Sequence, residues 1–296
     1  MSEINFKPLL PVILPADYKN NYTTELQHDE YIAMTDSVSS GALRAFLKSA
    51  AHFIDYLMIK EEDDEAGESK SLKFGTLAHL MVLEPKRFRE CFLLQPDFGD
   101  QRSSTNREKK NKWLYDLPKN KIPINEKDLV RLTAIAENIS KHPIARAMLE
   151  KGISEVSVFV RCPKTGLKLR IRVDWLVESL LDFIDFKTTT DAREEPFAKS
   201  IDKFGYDVQM SFYEYVLLLM FEKEIPPTLL AAESKRPHSI AVYPVGMLTR
   251  DIGLQLVMQG LNGIKKCIDE DRWPSIQDEA RVIEVPDYKL RKWGML

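Results

Sequence analysis

Residues 168–190 read KLRIRVDWLVESLLDFIDFKTTT, and this stretch decides the fold. Two runs rich in β-branched and aromatic residues lie on either side of a short turn at Glu178 and Ser179, the composition of paired strands. Just upstream, SEVSVFVRC (154–162) has the same character and is set off by a turn through Pro163–Gly166. Three strands joined by short turns predict an antiparallel meander. Side chains alternate along a strand, so Asp185 and Lys187 share a face, and pairing across the turn brings Asp174 beside Asp185. Two carboxylates a few ångströms apart repel one another and bury poorly without a cation between them. A hard divalent ion such as Mg²⁺, or Mn²⁺ in its place, satisfies both. Lys187 is then left to orient an attacking water or to stabilise charge on a phosphate. A surface ion pair is the plain alternative for Asp-x-Lys alone. The flanking Phe183, Ile184 and Phe186 weigh against it by setting the acids in an apolar strand.

Outward from the meander the pattern turns helical. Upstream, helices are expected over 35–60, capped by one of Thr35, Asp36, Ser37 or Ser39, over LKFGTLAHLMVLEP (72–85), and once or twice over 126–152. KEEDDEAGESKS (60–71) has no core-forming residue and reads as a solvated link. Downstream, 204–223 predicts a long helix, SIAVYPVG (239–246) a short strand, and 251–273 a final long helix. The fold class is therefore α/β (α+β): a mixed sheet flanked by helices, with a helical N-terminal elaboration. Residues 1–34, broken by Pro8, Pro11 and Pro15, are expected as an extended arm before a single domain at 35–296.

Composition narrows the chemistry. Cys91, Cys162 and Cys267 are scattered, which excludes a thiolate zinc or iron–sulfur site and leaves oxygen and imidazole as metal ligands. No apolar run is long enough to span a bilayer, and the N-terminus has no basic leader, so a cytoplasmic location is expected. The formal charge of −3 means that any nucleic-acid affinity needs local basic patches. One such patch is Arg102, Arg107, Lys109, Lys110 and Lys112 with Trp113, suited to phosphate contact and base stacking. Arg172, alternating with Lys168 and Arg170 along the second strand, and Ser40, with Ser39 and Arg44 at a helix N-terminus, are further candidates for phosphate contact.

The succession V-D-W (173–175), F-I-D-F-K-T-T (183–189) and Q-M-S-F-Y (209–213) resembles the RecB-type branch of PD-(D/E)XK nucleases. Within that branch it is most similar to the nuclease-domain family of exodeoxyribonuclease VIII (RecE) and its phage relatives, over about Ser37 to Pro274. The resemblance implies a PD-(D/E)XK core and metal-dependent hydrolysis of one strand of linear duplex DNA, 5′ to 3′. It also implies roles: His79 in F-G-T-L-A-H-L, Asp174, Asp185 and the Phe186 carbonyl as metal ligands, Glu155 as a helper acid, and Gln209 with Tyr213 as positioning groups. Beyond the chain itself it implies a ring-shaped homo-oligomer, a RecT-type single-strand annealing partner, and a phage or prophage source. Val173 stands where the family often has proline before the aspartate, a position with no catalytic duty.

Overall fold

The computed structural model describes residues 10–62, 70–118, 120–179, 181–277 and 279–295. The N-terminal part runs β1 (Asn21–Thr23), α1 (His28–Ala33), α2 (Ser40–Lys48), α3 (Ala50–Glu62), α4 (Lys70–Leu83), α5 (Pro85–Cys91), β2 (Phe92–Leu94), α6 (Ser104–Tyr115), β3 (Ile122–Ile124), α7 (Glu126–Lys141) and α8 (Pro143–Met148). There follow β4 (Gly152–Arg161), β5 (Lys168–Val177), β6 (Phe183–Thr189), α9 (Glu194–Phe204), α10 (Tyr206–Phe221), β7 (Pro227–Glu233), β8 (Ile240–Pro244), α11 (Met247–Glu270) and α12 (Asp287–Lys292).

The main sheet has six strands in the order β1-β4-β5-β6-β7-β8. The expected meander β4-β5-β6 is there and antiparallel, and β6 then pairs in parallel with β7, so the sheet is mixed. Its helical crossover, α9 and α10, is what a parallel connection requires. Strand β7 was not expected. PTLLAAE is a short apolar run without alternation, which is how a strand buried on both faces reads.

The helix expected over 35–60 is two helices. Ser39 caps α2 by accepting from the Ala42 N–H. At Ser49 the chain turns extended, and the Ser49 hydroxyl accepts from the His52 N–H to start α3 afresh. The basic segment after residue 95 contains a helix, α6, with no buried residue. Within the expected N-terminal arm, β1 pairs with β4 (Tyr22 opposite Val158), and α1 follows. Of the charged stretch 60–71, residues 60–62 end α3 and 70–71 begin α4, while 63–69 lie outside the described residues.

Each face of the sheet carries a core. On one, Val158, Ile171, Phe183 and Leu229 pack with Leu43 of α2, Phe53 of α3, Phe212 of α10 and Leu261 of α11. On the other, Ile184, Phe186 and Leu230 pack with Phe74 and Leu77 of α4 and Leu132 and Ile135 of α7. Helix α10 is held against the sheet from behind by α11, and a glycine makes that approach possible. A Cβ on Gly253 would sit 2.4 Å from the Asp207 carbonyl oxygen and 2.3 Å from Ser211 Oγ. Backbone cannot give way as a side-chain tip can, so Gly253→Ala is expected to lower unfolding stability by about 1–3 kcal/mol, read from a denaturant melt. Because α10 carries Gln209, activity should fall further than the stability loss alone explains.

Candidate active site

The ladders around Asp174 are interrupted in a way that exposes functional groups. Strand β4 pairs with β5 through Ser154–Trp175 and Val156–Val173, so Glu155 and Asp174 stand opposite each other at the one step left unclosed. Glu155 has left-handed backbone there, φ +57°. Strands β5 and β6 pair at Trp175–Ile184 and Leu176–Phe183, and in the direction of Asp174 they close no further step. One step on, Asp174 faces Asp185, and the Phe186 N–H donates to Asp174 Oδ2 at 2.8 Å in place of a ladder bond.

From α4, packed on one side of the sheet, His79 reaches into this gap. Its Nε2 lies 2.8 Å from Asp174 Oδ2 and its Nδ1 lies 3.3 Å from Glu155 Oε1. From the other side Lys187 Nζ meets Asp185 Oδ2 at 2.5 Å, and Gln209 Nε2 of α10 donates to Asp185 Oδ1 at 3.0 Å. Tyr213, one helical turn on, is buried and shares a hydrogen bond with Gln209. The structure thus brings together His79, Glu155, Asp174, Asp185, Phe186, Lys187, Gln209 and Tyr213. It places Tyr213 behind Gln209 rather than at the surface.

The charges are mutually tuned. Burial works against an imidazolium at His79, but Asp174 and Glu155 overcome it and raise the group to about 9. Burial also opposes ionisation of Asp174, which His79, Lys187 and the Phe186 N–H outweigh, leaving its carboxyl below the usual range. At Asp185, only 1% exposed, burial wins over Lys187 and the neighbouring Asp174 adds to it, so the carboxyl rises to about 6. Glu155 is likewise raised, by burial first, against the pull of His79. Lys187 is raised because Asp185 and Asp174 outweigh its own burial.

The donor set fits a divalent cation. His79, Glu155 and Asp174 can each offer one ligand atom, all within 4.8 Å of one another. The two carboxylate oxygens suit a hard divalent ion, and the imidazole nitrogen is a ligand that divalent transition metals take. Asp185 is not a member of this triple; Lys187 Nζ lies 2.5 Å from its Oδ2, and Gln209 donates to its Oδ1.

Other candidates lie elsewhere. Arg102 is exposed in the turn before α6 and Lys110 is half-buried within that helix, away from any core. Ser40 is buried in the first turn of α2, where its carbonyl accepts from Arg44 Nε at 3.4 Å. Arg172 does not present an exposed face toward a phosphate: it is buried and donates through Nε to Glu155 Oε2. The segments that cover it, around Leu26 and Tyr31, are distant in sequence, so strand alternation alone could not reveal this. Sequence reasoning also passed over Tyr206, whose ring lies 4.9 Å from Lys187 Nζ. Its signal was spacing: Tyr206, Gln209 and Tyr213 lie at i, i+3 and i+7 on one helix face.

A presumed exonuclease from Eubacterium rectale, solved as a crystal structure, has a similar fold, with a TM-score of 0.57 and 14% identity over 91% of this chain and 97% of that one. The solved structure of SSO0001, 15% identical over 75% of this chain and 84% of that one, superposes at a TM-score of only 0.27 and carries no argument. A comparison with curated proteins found no match. A family model for a PDDEXK-like domain of unknown function matches residues 37–285, most of the chain, in keeping with the mixed sheet and the Asp174, Asp185 and Lys187 constellation. The chain belongs to this PDDEXK-like family, DUF3799.

Proposed function

We propose that the protein is a metal-dependent exodeoxyribonuclease that hydrolyses one strand of linear double-stranded DNA, 5′ to 3′, and leaves single-stranded tails for recombination by strand annealing. The observation that carries this is the convergence of Asp174, Asp185 and Lys187 with His79 and Glu155 in the gap between β5 and β6. His79, Glu155 and Asp174 would hold the ion, and the family resemblance would add Asp185 and the Phe186 carbonyl as ligands. A bound divalent ion supplies Lewis-acid polarisation of the scissile phosphate and lowers the pKa of bound water.

The chain's own groups do the rest. Lys187, one-fifth exposed, keeps a positive charge at the mouth of the gap, where it can orient the attacking water or a phosphate oxygen. Gln209, steadied by Tyr213, holds Asp185 in one rotamer, and the Phe186 N–H does the same for Asp174. The α6 segment with Arg102 and Lys110 supplies positive charge for duplex backbone. A ring-shaped oligomer that encircles DNA, a RecT-type annealing partner and a phage or prophage origin complete the reading. Among the described residues no helix is long and apolar enough to cross a membrane.

Digestion of linear duplex labelled separately at each 5′ and 3′ end, beside a closed circle of the same sequence, tests the proposal. With Mg²⁺ the linear form should disappear with release of 5′ label first, the circle should survive, and EDTA should stop the digestion. Cutting of the circle would replace this reading with an endonuclease on the same core. Light scattering that shows only monomer at working concentration would remove the ring.

A further inference from the structure

Glu155 is held by an arginine that the N-terminal segment holds in turn. Arg172 Nη1 donates to the Leu26 carbonyl at 3.0 Å and to Ser157 Oγ at 3.5 Å, while its Nε is spent on Glu155 Oε2. The Tyr31 ring lies 5.6 Å from the Arg172 guanidinium and 5.1 Å from that of Arg170. Arg170 is itself anchored, donating through Nη1 to Ser37 Oγ at 2.8 Å. A rigid planar fork can serve a carboxylate on one strand and a carbonyl on another segment at once, which a lysine cannot. Glu155 needs such a hold, because its backbone is left-handed at φ +57° and a non-glycine residue stays there only when its surroundings over-determine it.

We propose that Arg172, clamped by the Leu26 carbonyl and the Tyr31 ring, is a positioning residue for the divalent-ion site. By taking Glu155 Oε2 it turns Oε1 toward His79 and Asp174, as the 3.3 Å approach of Oε1 to His79 Nδ1 records. Residues 26–31 are thereby a working part of the site although they precede the matched domain at 37–285. This inference rests on the metal-binding reading above.

The test is titration of Mn²⁺ alone into the full-length protein, followed by calorimetry or by electron paramagnetic resonance of free Mn²⁺, with circular dichroism to verify folding. Arg172→Gln is expected to weaken binding by about 10–100-fold, the usual effect of losing a group that orients a ligand. Arg172→Lys, which restores charge but not the fork, should recover only part of that loss. Tyr31→Ala, at the periphery, should weaken binding by up to about 10-fold, and Tyr31→Phe should leave it closer to wild type. In cleavage assays kcat should fall with the KM for DNA little changed. Folded Arg172→Gln and Tyr31→Ala proteins that bind Mn²⁺ within about twofold of wild type would overturn the inference and leave the metal reading standing. Should Arg172→Gln not fold, the Tyr31 pair decides alone. If the wild type takes up no Mn²⁺, the metal reading falls and the inference falls with it.

Discussion

Asp185→Asn is expected to abolish strand cleavage, by at least about a thousandfold, while the protein remains folded. The carboxylate is 1% exposed and is gripped by Lys187 on one oxygen and Gln209 on the other. Asparagine fills the same volume but has only one oxygen to accept with, so packing is kept while the negative charge and one of these two contacts are lost. The effect on stability has a definite sign. Burial raises the Asp185 carboxyl from 3.8 to about 6, so the unfolded chain gives up this proton first as pH rises. The group therefore costs stability progressively between those two values, and the cost persists at neutral pH. Asparagine removes that cost, while Lys187 keeps Asp174 as a counter-charge. The variant should melt within a few degrees of wild type at pH 7 and show a flatter pH dependence between 4 and 6 in the absence of metal. Cleavage of linear duplex at the wild-type rate would remove Asp185 from the chemistry.

Lys187→Met is expected to fail differently, losing both activity and stability. Removing one partner of a buried ion pair strands the other, at a cost of about 3–5 kcal/mol. Here the cost is eased because Asp185 already resists ionisation and can take up a proton. The sharper test is the double variant Asp185→Asn/Lys187→Met. Its stability should exceed that of Lys187→Met alone, a coupling of about 0.5–3 kcal/mol, while its activity stays at the floor set by either single change. Additive stability losses in urea melts would mean that Asp185 and Lys187 do not act as a pair. Cleavage by Lys187→Met near the wild-type rate would assign the charge on the attacking side to another group, with Arg44 the first to examine, since its charge also reaches Tyr206.

How much of this was legible follows from the range of each interaction. The meander and its acids were readable because period-two alternation and short turns are local signals, and Asp174, Asp185 and Lys187 lie within them. The Gln209–Tyr213 spacing was readable because one helical turn is local too. Strand β7 was hidden because both of its faces are buried, which erases alternation. The break at Ser49 was hidden because A-L-R-A-F-L-K-S-A-A-H keeps apolar residues in nearly continuous helical phase, and only the serine's capping bond to His52 marks the restart. Glu155 entered through family resemblance alone, since nothing in SEVSVF announces left-handed backbone at a glutamate. The inward turn of Arg172 depends on a carbonyl 146 residues away, beyond the reach of any local pattern.

The register that sets Tyr22 opposite Val158 has a consequence for the order of events during folding. The hairpins β4-β5 and β5-β6 close short loops and can form early, whereas β1 must wait for a loop of well over a hundred residues to close. On the ribosome, β1 leaves the exit tunnel long before the strand that it pairs with. Asp174, Asp185 and Lys187 therefore come together in the earliest-forming part of the sheet. The grip of Leu26 on Arg172, and with it the final setting of Glu155, belongs among the last contacts made.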